Sequence, residues 1–401
     1  MQRIVIVGGG HAASQLCASL AEAGLRTGIT LVSAEAHLPY HRPPLSKGYL
    51  KDTQAEPQLL RPESAYEGMT LHLRTRVEHI DAQARKVTLS DGQALPYDAL
   101  VLATGTRPRR LPGLPAALDN LHYLRTIDDA LRLRVSLAEA KSVTVLGGGF
   151  IGLEIAATAA ALGKRVTVFE MADRLLARAV SPDVSEHVAN TLLQAGITLQ
   201  RNCGPIEFLC QQQRVDALIC QGQTHAADLL VAGIGAEPDT ALAQSAGLAI
   251  DNGIAVDGYM QTSAARIYAI GDCVSFPYAR WNRRLRLESV QNANDQARTL
   301  AALLAGQQPA PYAALPWFWS DLGSLRLQMA GLAPQGAECV TRPGAKPGSF
   351  SILHFAQGRL ACVESINAPV DHIAARKLLE KDQLPDQAVL ADPAIPLKAH
   401  L

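Results

Sequence analysis

The chain has 401 residues, and its 37 basic and 37 acidic side chains leave a formal net charge of zero. That balance provides no global field for nucleic acid or an anionic membrane surface, and no run of eighteen apolar residues offers a spanning helix. At 48% apolar residues the composition is that of a globular protein, and the length predicts two or three domains rather than one core.

Residues 3–35 read as strand, glycine-rich turn, helix and strand. Residues 4–7 are a β-branched apolar run, and Gly8, Gly10 and Ala13 fit G-x-G-x-x-A. A helix to about Ala23 follows, with Gly24 suited to its C-terminal cap, and residues 29–32 lead to Glu35. This pattern holds a dinucleotide: the pyrophosphate sits over the helix N-terminus, where unpaired N–H groups and the dipole favour anions. Because a strand begins at Arg3 there is no room for a signal peptide, and the expectation is a cytoplasmic protein.

Next comes LPYHRPPLSKGYL (38–50), in which Pro43-Pro44 forces extended backbone, Ser46 is a candidate helix cap and Lys47 projects beyond it. Residues 70–103 read as strands and hairpins with a turn at Asp91-Gly92, ending in Ala103-Thr104-Gly105 after a buried strand. The proline-spaced stretch 107–115 reads as a domain crossover. A helix with an acidic first turn starts at Thr126.

Residues 143–170 then repeat the opening plan with a full motif: strand, Gly147, Gly149 and Gly152 in G-x-G-x-x-G, an alanine-rich helix, and a strand ending on Glu170. A carboxylate there can accept from a ribose 2′-OH and would repel a 2′-phosphate, so NAD is expected rather than NADP. Two intact dinucleotide folds in one chain point to two ligands, and hydride transfer between nicotinamide and flavin is a reason to hold both. Ser181-Pro182 opens another helix that Gly196 ends, and short strands fill 198–231. The turn 233–238 contains Gly235, whose backbone can approach a nicotinamide amide. A strand over 267–270 delivers Gly271-Asp272, a basic stretch (Arg280, Arg283, Arg284, Arg286) follows, and a helix begins near Val290 and ends near Gly306. From about Pro316 the pattern changes to strands and a last helix around 373–379. The seven cysteines form no C-x-x-C or C-x-x-x-x-C pair, which argues against a redox dithiol or a zinc or iron–sulfur site and for reduced packing residues. No metal is expected.

PYHRPPLSK (39–47) resembles the P-Y-x-R-P-P-L-S-K signature of FAD-dependent, NADH-linked ferredoxin reductases, the putidaredoxin-reductase-like and biphenyl-dioxygenase-reductase-like enzymes. The A-T-G, G-D, E-S-V-Q-N-A (288–293) and P-W-F-W-S-D (316–321) strings match the family in its order. The resemblance implies an α/β fold of glutathione-reductase-like architecture: an FAD domain (1–112 and 248–315), an NAD domain (113–247) and a small α+β C-terminal domain (316–401). It places Gly8, Gly10, Ala12, Ala13, Glu35, Arg42, Lys47, Val77, Ala103, Thr104, Gly105, Arg125, Asp272, Val290 and Trp319 at FAD. It places Gly147, Gly149, Ile151, Gly152, Glu154, Glu170 and Gly235 at NAD. Lys47 beside the flavin, paired with Glu154, is the implied catalytic pair. One departure stands out: Ala34 replaces the first of an acidic pair, leaving Glu35 to hold the adenosine ribose.

The implied activity takes hydride from NADH and passes single electrons to a [2Fe-2S] ferredoxin serving a P450 or Rieske oxygenase, with docking near the four arginines and the C-terminal domain. Two alternatives stay open: a rubredoxin reductase or NADH oxidase-type flavoenzyme, and an NADH-sensing flavoprotein like the apoptosis-inducing factor. The absence of a cysteine pair speaks against disulfide reduction.

Overall fold

The structure is a computed structural model that describes residues 2–115, 117–381 and 385–401. The chain divides into two compact units and passes between them more than once.

The first unit runs from the N-terminus through His41, resumes over Pro57–Arg107 and closes with Ala236–Ala314. Its parallel sheet is ordered Ile267–Ala269, Ala99–Leu102, Ile4–Val7, Ile29–Val32, Thr70–His72. Ile4–Val7 and Ala99–Leu102 are buried throughout. They read as continuous apolar runs, as strands covered on both faces must. The helix His11–Glu22 springs from the first strand and packs on Val290–Leu304, and a small antiparallel sheet (Val77–Asp81, Lys86–Leu89, Ala94–Pro96) is inserted before the fourth strand in sequence.

The second unit comprises Arg42–Glu56, Pro108–Gly235 and Leu315–Leu401. Its parallel sheet repeats the plan: Thr198–Gln200, Arg165–Phe169, Ser142–Leu146, Leu229–Ala232, Leu121–His122. It too carries a three-stranded antiparallel insert, Glu207–Gln211, Arg214–Cys220 and Gln223–Ala226. The helix expected to start at Thr126 is present and opens on a capping box: the Thr126 side chain accepts from the N–H of Asp129, whose carboxylate accepts from the N–H of Thr126. Ser181 caps Pro182–Gln194 as expected.

Arg42–Glu56 groups with this second unit because Arg134, on the helix Ile127–Glu139, holds it. The Arg134 guanidinium donates to the carbonyls of Asp52 (2.9 Å) and Ala55 (3.2 Å) and stacks over the Tyr49 ring at 4.6 Å. The C-terminal portion is an antiparallel sheet ordered Trp317–Leu322, Leu325–Gly331, Arg359–Ile366, Phe350–Ala356, Glu338–Pro343. The helix Pro369–Leu379 covers it, burying Ala374, Ala375, Leu378 and Leu379 against Leu353, Phe355 and Val363.

Candidate active site

Both glycine-rich turns can be tested for fit by asking what a side chain would meet. In the first unit Gly8 has φ +119° and a Cβ there would lie 2.2 Å from the Ala103 carbonyl oxygen. The A-T-G element therefore packs directly on the first glycine. Gly10, by contrast, has an ordinary φ of −93° and nothing within 4 Å of its virtual Cβ. Its lack of a side chain serves no internal packing, which is what a backbone approached by a phosphate requires. Ala12 and Ala13 are buried in the first helical turn, and Gly271, beside Asp272, brings its virtual Cβ within 3.1 Å of the Ala12 methyl. Glu35 accepts a hydrogen bond from the buried Tyr40 hydroxyl. Tyr40 thus steadies the lone carboxylate left by Ala34, a partner that sequence reasoning missed because the phenol comes from the P-Y-x-R string rather than from the strand end.

The second unit shows the same division of labour. Gly147 (φ +104°) would place a Cβ 2.6 Å from the Gly233 carbonyl oxygen, and Gly152 would place one 2.3 Å from that of Gly147. These glycines allow the turn and the close approach of helix to strand. Gly149 again has an ordinary φ of −85° and only the Gly233 oxygen at 3.8 Å. Glu170 accepts from the N–H of Gly148 at 2.6 Å and from that of Ala172 at 2.7 Å, which fixes the carboxylate beside the turn. Ile151 is 46% exposed at the start of the helix, and the virtual Cβ of Gly235 (φ +104°) lies 3.8 Å from both Arg109 Cδ and Arg178 Nη2. Those two arginines carry cationic charge toward the turn and have no local motif that would have announced them.

The helix that follows, Phe150–Ala161, is apolar almost all round and buried along most of its length. Such a helix packs on two sides, here on its own sheet and on the strand Trp317–Leu322. In its middle sits Glu154, 4% exposed. A carboxylate so placed must be paired and hydrogen-bonded to stay charged. Lys47 Nζ is 2.7 Å from its Oε2, Ser46 Oγ donates to the same oxygen at 2.5 Å, and Ser320 Oγ donates to Oε1 at 2.6 Å. Lys47 Nζ also donates to the Pro43 carbonyl at 3.2 Å, so two of its three N–H vectors are directed. The Lys47 side chain keeps 23% exposure.

Ser46 was expected to cap a short helix; instead Pro43–Ser46 is a 3-10 turn, Lys47 precedes the helical turn Gly48–Lys51, and the serine hydroxyl serves Glu154. Thr158, one turn beyond Glu154, donates to the Ser46 carbonyl at 2.8 Å and ties the loop to the helix. Strand alternation explains Ser320: Phe318 meets Phe150 with ring centroids 4.7 Å apart, and two residues on, Ser320 meets Glu154 one helical turn later.

Against known proteins, residues 2–297 match the pyridine nucleotide-disulphide oxidoreductase family model and residues 317–401 match the reductase C-terminal model. The chain belongs to the pyridine nucleotide-disulphide oxidoreductase family. It is 43% identical to rhodocoxin reductase of Rhodococcus erythropolis over 97% of this chain and 92% of that protein. It superposes with a TM-score of 0.95 on the ferredoxin reductase for the CYP199A2 system from Rhodopseudomonas palustris, at 40% identity and full coverage of both chains. A covalent putidaredoxin reductase–putidaredoxin complex is similar at 0.92 and 39%, over 99% of this chain and 97% of that one. The seven cysteines are all free, so this member of a family named for disulphides holds none among its described residues.

The remaining expected residues fall as follows. In the first unit Val77 opens a strand opposite Leu89, and Thr104 Oγ1 donates to the Asp239 carbonyl at 2.7 Å, with Gly105 (φ +68°) next to it. Val290 is the first residue of a helix capped by Ser289, so its backbone amide belongs to a positive helix end. In the second unit Arg42 donates to the Arg125 carbonyl at 2.9 Å, which brings those two together, and Trp319 lies 5.7 Å from Trp317 on the face of the strand opposite Phe318 and Ser320. Of the four basic residues, Arg284 is held by Val256 and Ser275, and Arg286 by Glu288 at 2.7 Å. Those two guanidinia are tied into the structure, and Arg280, Arg283 and Arg284 are exposed.

Proposed function

We propose that the chain is an NADH-dependent ferredoxin reductase: it holds FAD in the first glycine-rich turn and NADH in the second, and passes single electrons to a [2Fe-2S] ferredoxin that serves an oxygenase of P450 or Rieske type. The reading is supported most by the Lys47–Glu154 pair, a lysine and carboxylate joined at 2.7 Å just past the last glycine of the second motif. Relatives named as ferredoxin and rhodocoxin reductases over nearly the whole chain support the partner class.

Bound flavin supplies the chemistry of taking two electrons together and releasing them singly. The protein's part is electrostatic and positional. Lys47 presents an ammonium where negative charge would develop, and Glu154 with its two serine donors fixes that ammonium and offsets its isolation from water. Gly8, Gly10, Ala12, Ala13, Glu35, Arg42, Lys47, Val77, Ala103, Thr104, Gly105, Arg125, Asp272, Val290 and Trp319 are the residues proposed to serve the flavin. Gly147, Gly149, Ile151, Gly152, Glu154, Glu170 and Gly235 make up the nicotinamide set. Among the described residues no helix is long and apolar enough to cross a membrane, and the free thiols support a reducing compartment, the cytoplasm.

The test is anaerobic stopped-flow mixing of the flavoprotein with NADH and then with a [2Fe-2S] ferredoxin. Loss of flavin absorbance followed by its return as ferredoxin is reduced is the expected result. Bleaching that only rubredoxin or oxygen reverses would replace the partner, and bleaching by NADPH alone would overturn the assignment of Glu170.

A further inference from the structure

The C-terminal sheet carries a second group of reactive side chains that the electron-transfer reading does not use. Cys339, His354 and Glu364 stand on three adjacent antiparallel strands, Glu338–Pro343, Phe350–Ala356 and Arg359–Ile366. Cys339 and His354 are direct partners in register, and Cys339 Sγ lies 3.3 Å from His354 Nδ1. On the far side of the ring, Nε2 is 3.2 Å from Glu364 Oε2, an ion-pair distance without the alignment of a hydrogen bond. Glu364 is fully buried and immobilised: the N–H of Ser181 lies 3.0 and 3.2 Å from its two oxygens, and Ser181 Oγ donates at 2.5 Å. His354 is buried, whereas Cys339 is open to solvent.

A fixed carboxylate at 3.2 Å from one ring nitrogen and a thiol in contact with the other place a nucleophile and a base side by side, as nucleophile–base pairs require. We propose that Cys339 is a nucleophilic thiol and a site of covalent modification by hydrogen peroxide, with His354 as its base. In the tautomer that carries its proton on Nε2, Nδ1 is the acceptor. As the sulfur attacks, its proton passes to Nδ1, an S–O bond forms and the O–O bond breaks. The leaving hydroxide takes the proton back from the ring and departs as water. Sulfur gives up two electrons to the peroxide and ends as a sulfenic acid.

The surroundings specify the reagent. Partial desolvation of the sulfur against the sheet, with the Glu364 and Asp183 carboxylates, pushes the Cys339 thiol up. The sulfur therefore keeps its proton at rest, and its reactivity depends on a base in contact. The same carboxylates disfavour anionic reagents. Glu338–Pro343 is the edge strand of the sheet, so the sulfur opens at a margin and not in a cleft. A small neutral oxidant fits. Cys362, level with His354 on the next strand, is two strand spacings from Cys339, about 9.6 Å. That exceeds the roughly 7 Å reach of a disulfide, so the sulfenic acid has no internal partner there.

The test treats the purified flavoprotein with hydrogen peroxide, traps sulfenic acid with dimedone and follows each cysteine by peptide mass spectrometry. Cys210, the other exposed thiol among the described residues, is the internal reference. The adduct at Cys339 should form at least about tenfold faster than at Cys210, a modest share of what a positioned base contributes. His354→Gln should abolish that advantage while NADH still reduces the flavin. Equal rates at the two cysteines, or an advantage that survives His354→Gln, would overturn the proposal. Should the variant fail to fold, the wild-type protein still decides: iodoacetamide over iodoacetate must be favoured more strongly at Cys339 than at Cys210, and equal preference overturns the proposal as well. None of these outcomes depends on the ferredoxin.

Discussion

Glu154 shows why a single buried charge demands several partners. Its carboxylate is bounded by one ammonium and two hydroxyls, so removing the ammonium alone leaves an uncompensated charge. Lys47→Met should therefore destabilise the protein by about 2–3 kcal/mol, toward the low side of buried-pair losses because Lys47 retains contact with water. Adding Glu154→Gln should return most of that stability in urea melts, yet flavin reduction by NADH should stay depressed by about a hundredfold in both variants. If the double variant recovers rate along with stability, Lys47 acts only as a structural cation. The pair itself was legible in the sequence, through motif resemblance. Ser46, Thr158 and Ser320 were not, because nothing local announces that a hydroxyl in a loop and another in a late strand converge on one helix face.

Glycine motifs are the most legible elements, since each stage of strand, turn and helix is encoded within a few residues. The structure adds a distinction that the pattern cannot: within G-x-G-x-x-G only some glycines are required by the fold. Gly149→Ala meets no clash and no forbidden φ, so thermal melting should be unchanged while the Kd for NADH rises; Gly152→Ala drives a methyl into the Gly147 carbonyl and should lower the melting temperature. Equal damage by both would refute the assignment of the second glycine to phosphate approach.

The helix Pro369–Leu379 carries a different sensitivity. His372 is buried beside Trp317, neither ring nitrogen finds a hydrogen-bond partner among the described residues, and burial, aided by Arg376 and Arg326, pushes it down to about 4. The unfolded value is about 6.5, so between these limits the unfolded chain binds the extra proton. Stability is full above pH 6.5 and falls as pH drops toward 4, by about 2 kcal/mol once solvent screening is allowed for. His372→Phe should flatten that part of the pH–stability curve, measured by urea denaturation at pH 7 and 5. An unchanged slope would assign the acid sensitivity to other groups.

At the scale of the molecule the chain uses one plan twice, with a three-stranded antiparallel insert in each unit and parallel sheets that differ only in where the outer strand comes from, Ile267–Ala269 late in the first unit and Leu121–His122 early in the second. The duplication was readable because both motifs survive; the grouping of Arg42–Glu56 with the second unit was not, because it depends on Arg134 reaching back across the chain. If each turn serves its own dinucleotide, Gly10→Ala should lower the flavin content of purified protein without altering nucleotide affinity of the flavin-loaded fraction. Gly149→Ala should do the reverse. A single variant that abolished both would mean that the turns are not separate sites.

The placement of Ser320 also bears on synthesis. Translation adds about 5–20 residues per second, so the strands from Ser142–Leu146 to Leu229–Ala232 leave the ribosome several seconds before the strand Trp317–Leu322 is made. Over that interval Phe150 and Glu154 lack the Phe318 and Ser320 that later cover them. The nascent nucleotide module must display an apolar helix flank with an acid in its centre, half-satisfied by Lys47 and Ser46. That acid works as a gatekeeper, keeping the waiting surface wet and poorly suited to self-association until the C-terminal sheet arrives to close it.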